Sequence, residues 1–116
     1  RLNGLEDFAR FEVSDLYEQG GKKASGHAQL ADVMRENPTS ILLDPPRSGA
    51  GPHLASICKK ESVERIVYVS CNPETFASDG AILIESGFRL KSVGVFDMFP
   101  NTSHLETLGV FVKERL

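Results

Sequence analysis

The chain has 116 residues, 41% hydrophobic and 25% charged, which fits one soluble globular domain and leaves little room for a second. Its net charge of -3 offers no overall basic footprint for nucleic acid, and Lys22, Lys23, Lys59, Lys60 and Arg65 read as solvated surface. No apolar run approaches the roughly 18 residues of a membrane span, Arg1-Leu2-Asn3-Gly4 lacks a signal-peptide layout, and two cysteines without metal-ligand spacing exclude a zinc site or a disulfide framework; the expected setting is the cytoplasm, with no metal bound.

Arg1 to Glu6 reads as the tail of a helix already under way, so the chain is expected to begin in mid-fold. Phe8 to Val13 is a strand ending at Ser14-Asp15, and the polar, glycine-rich stretch from Asp15 to Gly26 is a loop. His27 to Arg35 carries Leu30, Val33 and Met34 at helical spacing, and Asn37-Pro38 stops it. Ser40 to Leu43 is a short apolar strand running into Asp44-Pro45-Pro46-Arg47 and a Ser48-Gly49-Ala50-Gly51 loop, after which Pro52 opens a helix through about Lys60.

Residues 65 to 70 form the next strand. Asn72 and Pro73 then supply a cap and a first-turn proline for a helix to Ser86, with Phe76, Ile82 and Leu83 on its inner face and Gly87 as its C-cap. Phe88 to Phe96 and Leu108 to Lys113 are two final strands, separated by a loop from Asp97 to Glu106. Strands alternating with helices predict an α/β fold with a mainly parallel sheet, and no repeat or linker divides it.

Open α/β sheets bind ligands at the carboxyl ends of their strands, so the residues just after each strand carry the most information. In Asp44-Pro45-Pro46-Arg47 two prolines fix the backbone and remove two amide donors, which holds the Asp44 carboxylate in a rigid loop. Val69-Ser70-Cys71-Asn72-Pro73 places a thiol where a strand gives way to a helix, and a helix N-terminus favours an anionic nucleophile beside it. Cys58, among Leu54 and Ile57 within a helix, reads instead as a packed apolar residue. The third loop, Asp97-Met98-Phe99-Pro100-Asn101-Thr102-Ser103-His104-Leu105-Glu106, joins apolar residues to a carboxylate suited to proton abstraction.

Together the three loops resemble the RNA 5-methyluridine methyltransferases, which depend on S-adenosylmethionine. The resemblance rests on Asp44-Pro45-Pro46-Arg47 with Gly49, on Ser70-Cys71-Asn72-Pro73 with Thr75 and Asp79, and on Asp97-Met98-Phe99-Pro100 with Thr102, His104 and Glu106. The wording His104-Leu105-Glu106 and Arg65-Ile66-Val67-Tyr68-Val69-Ser70-Cys71 is most similar to the branch that modifies bacterial 23S ribosomal RNA. The resemblance implies a partial Rossmann-like methyltransferase fold with its last strand antiparallel and its first two strands lacking, so that residues 1–116 form the C-terminal portion of a catalytic domain. It implies Cys71 as the nucleophile that adds to C6 of uracil and Glu106 as the base that removes the C5 proton. It makes Asp44 a cofactor-side residue, Asp15 a contact to the adenosine moiety, and Phe99 and Arg47 substrate-binding residues, Phe99 in the pocket for a flipped base.

The chain departs from the family pattern at Ser78, where an arginine is common, and at Asn101, where a histidine is common. The glycine-rich acidic loop that cradles the cofactor, the N-terminal RNA-binding barrel and the iron–sulfur cluster of some relatives would all belong upstream. An isolated fragment is therefore expected to bind S-adenosylmethionine weakly or not at all, to be inactive, and to self-associate through exposed sheet edges. The alternatives are an amino-group methyltransferase of adenine or cytosine, in which an aromatic would stand at Arg47, a cysteine hydrolase using Cys71, His104 and Asp97, and a module that is non-catalytic in isolation.

Overall fold

A computed structural model of the chain describes residues 34–97 and 105–114. The predicted first strand, most of the predicted first helix, Asp15, Phe99, Asn101 and His104 lie outside the described residues. The described elements are β1 (Ser40–Leu43), α1 (His53–Lys59), β2 (Arg65–Ser70), α2 (Pro73–Glu85), β3 (Phe88–Asp97) and β4 (Leu105–Lys113). Asn37 takes a left-handed φ of 56°, and its N–H reaches the Met34 carbonyl at 3.1 Å. This is how Asn37-Pro38 ends the preceding turn.

The four strands form one sheet in the order β1-β2-β4-β3. β1 and β2 are parallel, with Ile41 beside Ile66 and Leu43 beside Tyr68. β4 runs antiparallel to both of its neighbours, pairing Ser70 with Thr107 on one side and Phe96 with Glu106 on the other. Three strands therefore point one way and the last points back, as the sequence predicts. β4 begins three residues earlier than the predicted Leu108, so Leu105 and Glu106 belong to the ladder rather than to a loop. The pairing partners Phe96 and Asp97 satisfy those extra backbone groups, which sequence pattern alone does not show.

Side chains alternate across the sheet, and only one face is closed by α2. Ile66, Tyr68 and Ser70 of β2 and Thr107, Gly109 and Phe111 of β4 are buried on that face. Helix α2 meets them with Phe76, Asp79, Gly80 and Leu83, spaced i, i+3, i+4, i+7 along one stripe. Ile82, expected on this face, is 41% exposed. It lies about 100° around the helix from Leu83, off the stripe that the other four define.

The close fit of α2 depends on small residues. An ideal Cβ on Gly80 would stand 3.4 Å from Phe111 Cζ, and one on Gly109 would stand 2.6 Å from Phe76 Cζ. The Phe76 ring packs edge-on to Tyr68, with centroids 5.6 Å apart at 81°, and tilts against Phe111 at 6.1 Å. Tyr68, Phe88, Phe111, Leu54, Ile66, Leu83 and Val63 are the largest fully buried side chains. Each contributes about 1.5–3 kcal/mol by leaving water. Gly87 follows α2 with φ 102°, as its predicted C-cap role requires.

On the other face Leu42 is 69% exposed, and Val67, Val69, Leu108, Val110 and Val112 are half-buried. No helix among the described residues is long and apolar enough to cross a membrane.

Candidate active site

The carboxyl ends of β1 and β2 and the start of β4 meet along one rim of the sheet. The thiol of Cys71 arrives there directly from β2, half-buried and free of any disulfide. Its backbone is held by its neighbours. Ser70 is buried, and its Oγ accepts from the Asn72 N–H at 3.0 Å and donates to the Asn72 carbonyl at 2.8 Å, so the chain is tied on both sides of Cys71. Asn72 adopts extended φ and ψ of -135° and 109°, and its Oδ1 accepts from the Glu74 N–H at 3.1 Å, capping α2. Pro73 occupies the first turn, where its missing N–H costs nothing. Cys71 thus stands beside the N-terminus of a 13-residue helix, whose dipole favours negative charge.

Glu106 reaches the same rim from the opposite chain direction. Val69 pairs with Leu108 and Ser70 with Thr107, the last pair of the ladder, and Cys71 and Glu106 are the residues that adjoin that pair on the two chains. Alternation puts Glu106 on the face that carries Leu108, away from α2. Glu106 is half-buried and has Phe96, about half exposed, beside it on β3. The arrangement can therefore present a thiol and a carboxylate to one small planar molecule.

The loop after β1 forms the adjacent wall. Asp44 follows the last residue of β1 and is exposed, as is the Arg47 side chain. Pro45 and Pro46 offer no amides, so the loop is fixed through its carbonyls and its later amides. The Arg47 carbonyl accepts from Asn72 Nδ2 at 3.1 Å and from Thr75 Oγ1 at 3.2 Å, and the Gly49 N–H closes a turn onto the Pro46 carbonyl at 2.8 Å. The Ala50 N–H donates to Asp79 Oδ2 at 2.8 Å, and the Tyr68 hydroxyl donates to the same oxygen at 2.5 Å. Gly49 has φ 94°, and a Cβ there would meet Asp79 Oδ2 at 2.8 Å, so only glycine fits this approach.

Of the residues singled out in the sequence, Cys71 and Glu106 adjoin the Ser70–Thr107 pair at the rim, while Asp44 and Arg47 lie on the loop bonded to the Cys71 turn. Asp15 and Phe99 are outside the described residues. Sequence reasoning gave no role to Tyr68, Ser70 or Asp79. The signal for Asp79 is its place on the apolar stripe of α2, where a carboxylate needs partners. Cys58 faces a different setting: burial pushes its thiol pKa up, against a hydrogen bond with Ser86 and the charge of Lys113, which pull it down.

The tRNA (uracil-5-)-methyltransferase family model matches residues 10–115. The chain is 54% identical over 74 residues to the 23S rRNA (uracil(1939)-C(5))-methyltransferase RlmD of Pasteurella multocida, covering 64% of this chain and 17% of that protein. It is 42% identical over 113 residues to the RlmD of Hahella chejuensis, covering 97% of this chain and 24% of that protein. The chain thus spans a quarter or less of the length of these curated relatives. Among solved structures, the Pyrococcus abyssi tRNA (uracil-54, C5)-methyltransferase in complex with S-adenosyl-L-homocysteine superposes with a TM-score of 0.56 at 39% identity, over 64% of this chain and 18% of that one. The sheet described above is therefore part of a methyltransferase fold, and with a family match running over nearly its whole length the chain belongs to the tRNA (uracil-5-)-methyltransferase family.

Proposed function

We propose that this chain is the C-terminal portion of the catalytic domain of a 23S rRNA uracil-C5 methyltransferase of the uracil(1939) type, with Cys71 as nucleophile and Glu106 as proton acceptor. The observation that supports the reading is that Cys71 and Glu106 adjoin Ser70 and Thr107, the last pair of the β2–β4 ladder, at one rim of the sheet. The RlmD relatives support the ribosomal substrate over transfer RNA.

C5 of uracil is a weak nucleophile and needs temporary activation. The Cys71 thiolate adds to C6, and the electron pair displaced from the C5–C6 double bond makes C5 nucleophilic. S-adenosylmethionine, when bound, supplies the methyl group that C5 takes. Glu106 then accepts the C5 proton, the double bond re-forms, and the C6–S bond breaks to return the thiolate. The Cys71 turn suits this cycle because the bonds between Ser70 and Asn72 hold the chain on both sides of the thiol at the start of α2. The residues fit the cofactor in one respect visible here: Asp44 presents an exposed carboxylate at the rim, on a loop bonded to the Cys71 turn. Asp44 would accept from donors of that molecule, with Asp15 as a second acidic contact. Arg47 and Phe99 would hold the RNA, Arg47 through its exposed side chain.

The test uses the full-length protein carrying this chain, S-adenosylmethionine and a ribosomal RNA segment with 5-fluorouridine at the target. Fluorine at C5 cannot leave as a proton, so the thiol adduct persists through denaturing electrophoresis. The adduct is expected with the parent and Cys58→Ala proteins and not with Cys71→Ala. With ordinary uridine, Glu106→Gln should accumulate the methylated adduct. A parent protein that forms no adduct, or a Cys71→Ala protein that does, overturns the assignment.

A further inference from the structure

We infer that Asp79 is a positioning residue that makes the Arg47 loop and the Cys71 turn move as one body. The inference rests on the uracil-methylation reading of the site. Asp79 is 8% exposed and lies on the stripe of α2 that faces the sheet. Its Oδ2 accepts from the Ala50 N–H of the β1–α1 loop and from the Tyr68 hydroxyl of β2. One carboxylate oxygen thus joins the loop after β1, the strand leading into Cys71 and the helix leading out of it. Charge-assisted bonds of this kind are about twice as strong as neutral ones.

The clamp is doubled nearer the rim, where Asn72 and Thr75 donate to the Arg47 carbonyl. The bonds span 25 to 29 residues of sequence and hold the loop at Arg47 and at Ala50. Pro45 and Pro46 remove the amides by which the loop could otherwise anchor itself. Gly49 completes the fit, since its missing Cβ leaves the space that Asp79 Oδ2 fills. The fold places nothing chemical at Asp79, yet the separation between the Asp44–Arg47 wall and the thiol depends on it. That separation is what a transfer between two bound molecules requires, because a misplacement of about 1 Å can cost on the order of a hundredfold in rate.

The experiment compares Asp79→Ala, Asp79→Asn and Tyr68→Phe with the parent in the full-length protein, measuring kcat, KM for RNA and cofactor, melting temperature, and amide exchange at Ala50 and Glu74. Asp79→Ala should lower kcat on the order of tenfold to a hundredfold, with both KM values held within about threefold. Asp79→Asn, which keeps an acceptor oxygen, should recover most of the loss. Tyr68→Phe keeps the buried ring and loses one bond, so it carries the same prediction at smaller size if Asp79→Ala does not fold. Unchanged kcat in a folded variant, or a loss confined to KM or to melting temperature, overturns the inference. If the parent neither methylates nor forms an adduct, the functional reading fails, and exchange decides the clamp by itself. Faster exchange at Glu74 as well as Ala50 in Asp79→Ala, or in Tyr68→Phe where that variant does not fold, supports one coupled body; acceleration at Ala50 alone, or at neither, refutes it.

Discussion

Replacing Gly109 with alanine tests the seat of α2 on the sheet and, through it, the placement of Cys71, the proposed nucleophile. The new Cβ would lie 2.6 Å from Phe76 Cζ, 2.8 Å from Phe76 Cε2 and 3.1 Å from Phe111 Cε2. Carbon atoms pack at about 3.5–4.0 Å, so the closest contact is short by about 0.9 Å. The ring cannot swing aside, because Tyr68 stands edge-on to it and Phe111 flanks it. Relief must come from a shift of the first turns of α2, which carry Phe76 only five residues beyond Cys71.

Overpacking of this kind costs about 1–3 kcal/mol. Lower unfolded-state entropy in the alanine variant offsets about 0.4–1 kcal/mol of that. A net loss of about 1–2 kcal/mol corresponds to a fall in melting temperature of roughly 4–16 °C for a unit of about 100 residues and roughly 2–8 °C within a domain of about 150–250 residues. Circular dichroism melts of the parent, Gly109→Ala, Phe76→Leu and the double variant form a cycle. Leucine at 76 vacates the space the methyl needs, so the double variant should be more stable than the sum of the single losses by on the order of 1 kcal/mol. A Gly109→Ala protein that melts at or above the parent, or a cycle that closes additively, refutes the packing account.

Asn72→Ala removes the cap on α2 and one bond to the Arg47 carbonyl, and should cost about 1 kcal/mol in chemical denaturation; an unchanged midpoint shows that neither bond matters. Burial holds the Cys58 thiol in its protonated form above the ordinary pKa of 9.0, so its alkylation in a Cys71→Ser background should still be accelerating as pH passes 9.0. Because the folded state holds that proton more tightly than the unfolded chain, the associated stability is present below pH 9.0 and lost as pH rises through the folded pKa. Alkylation that levels off at or below pH 9.0 contradicts this.

Local chemistry made much of the architecture legible. Asn72-Pro73 marks the start of α2 and Gly87 its end, and the four described strands fall where apolar runs end in turn residues. The boundary of β4 was harder, because Leu105 and Glu106 owe their strand geometry to partners on β3 and not to their own pattern. Ile82 was misplaced for a related reason: hydrophobicity suggested the inner face, while the stripe was set by Phe76, Asp79, Gly80 and Leu83. Within the site, the thiol of Cys71 is visible from its strand-to-helix context, but that Glu106 adjoins the same end of the β2–β4 ladder depends on pairing between segments 35 residues apart. The Asp79 clamp joins Ala50, Tyr68 and α2, and nothing in the spacing of those residues announces it.

The position of β4 has a consequence for the order in which the molecule is made. It is the last of the described strands, yet it lies between β2 and β3, and β3 pairs with no other described strand. During synthesis β3 leaves the ribosome before its partner exists, so ten residues of unpaired backbone wait for the chain to continue. The thiol emerges even earlier and waits for the same event. A nascent chain can thus build β1, α1, β2 and α2 in sequence, but Glu106 reaches the rim only when β4 threads between β2 and β3. Closure of the described sheet thus waits on one strand that must pair across more than thirty residues on its β2 side.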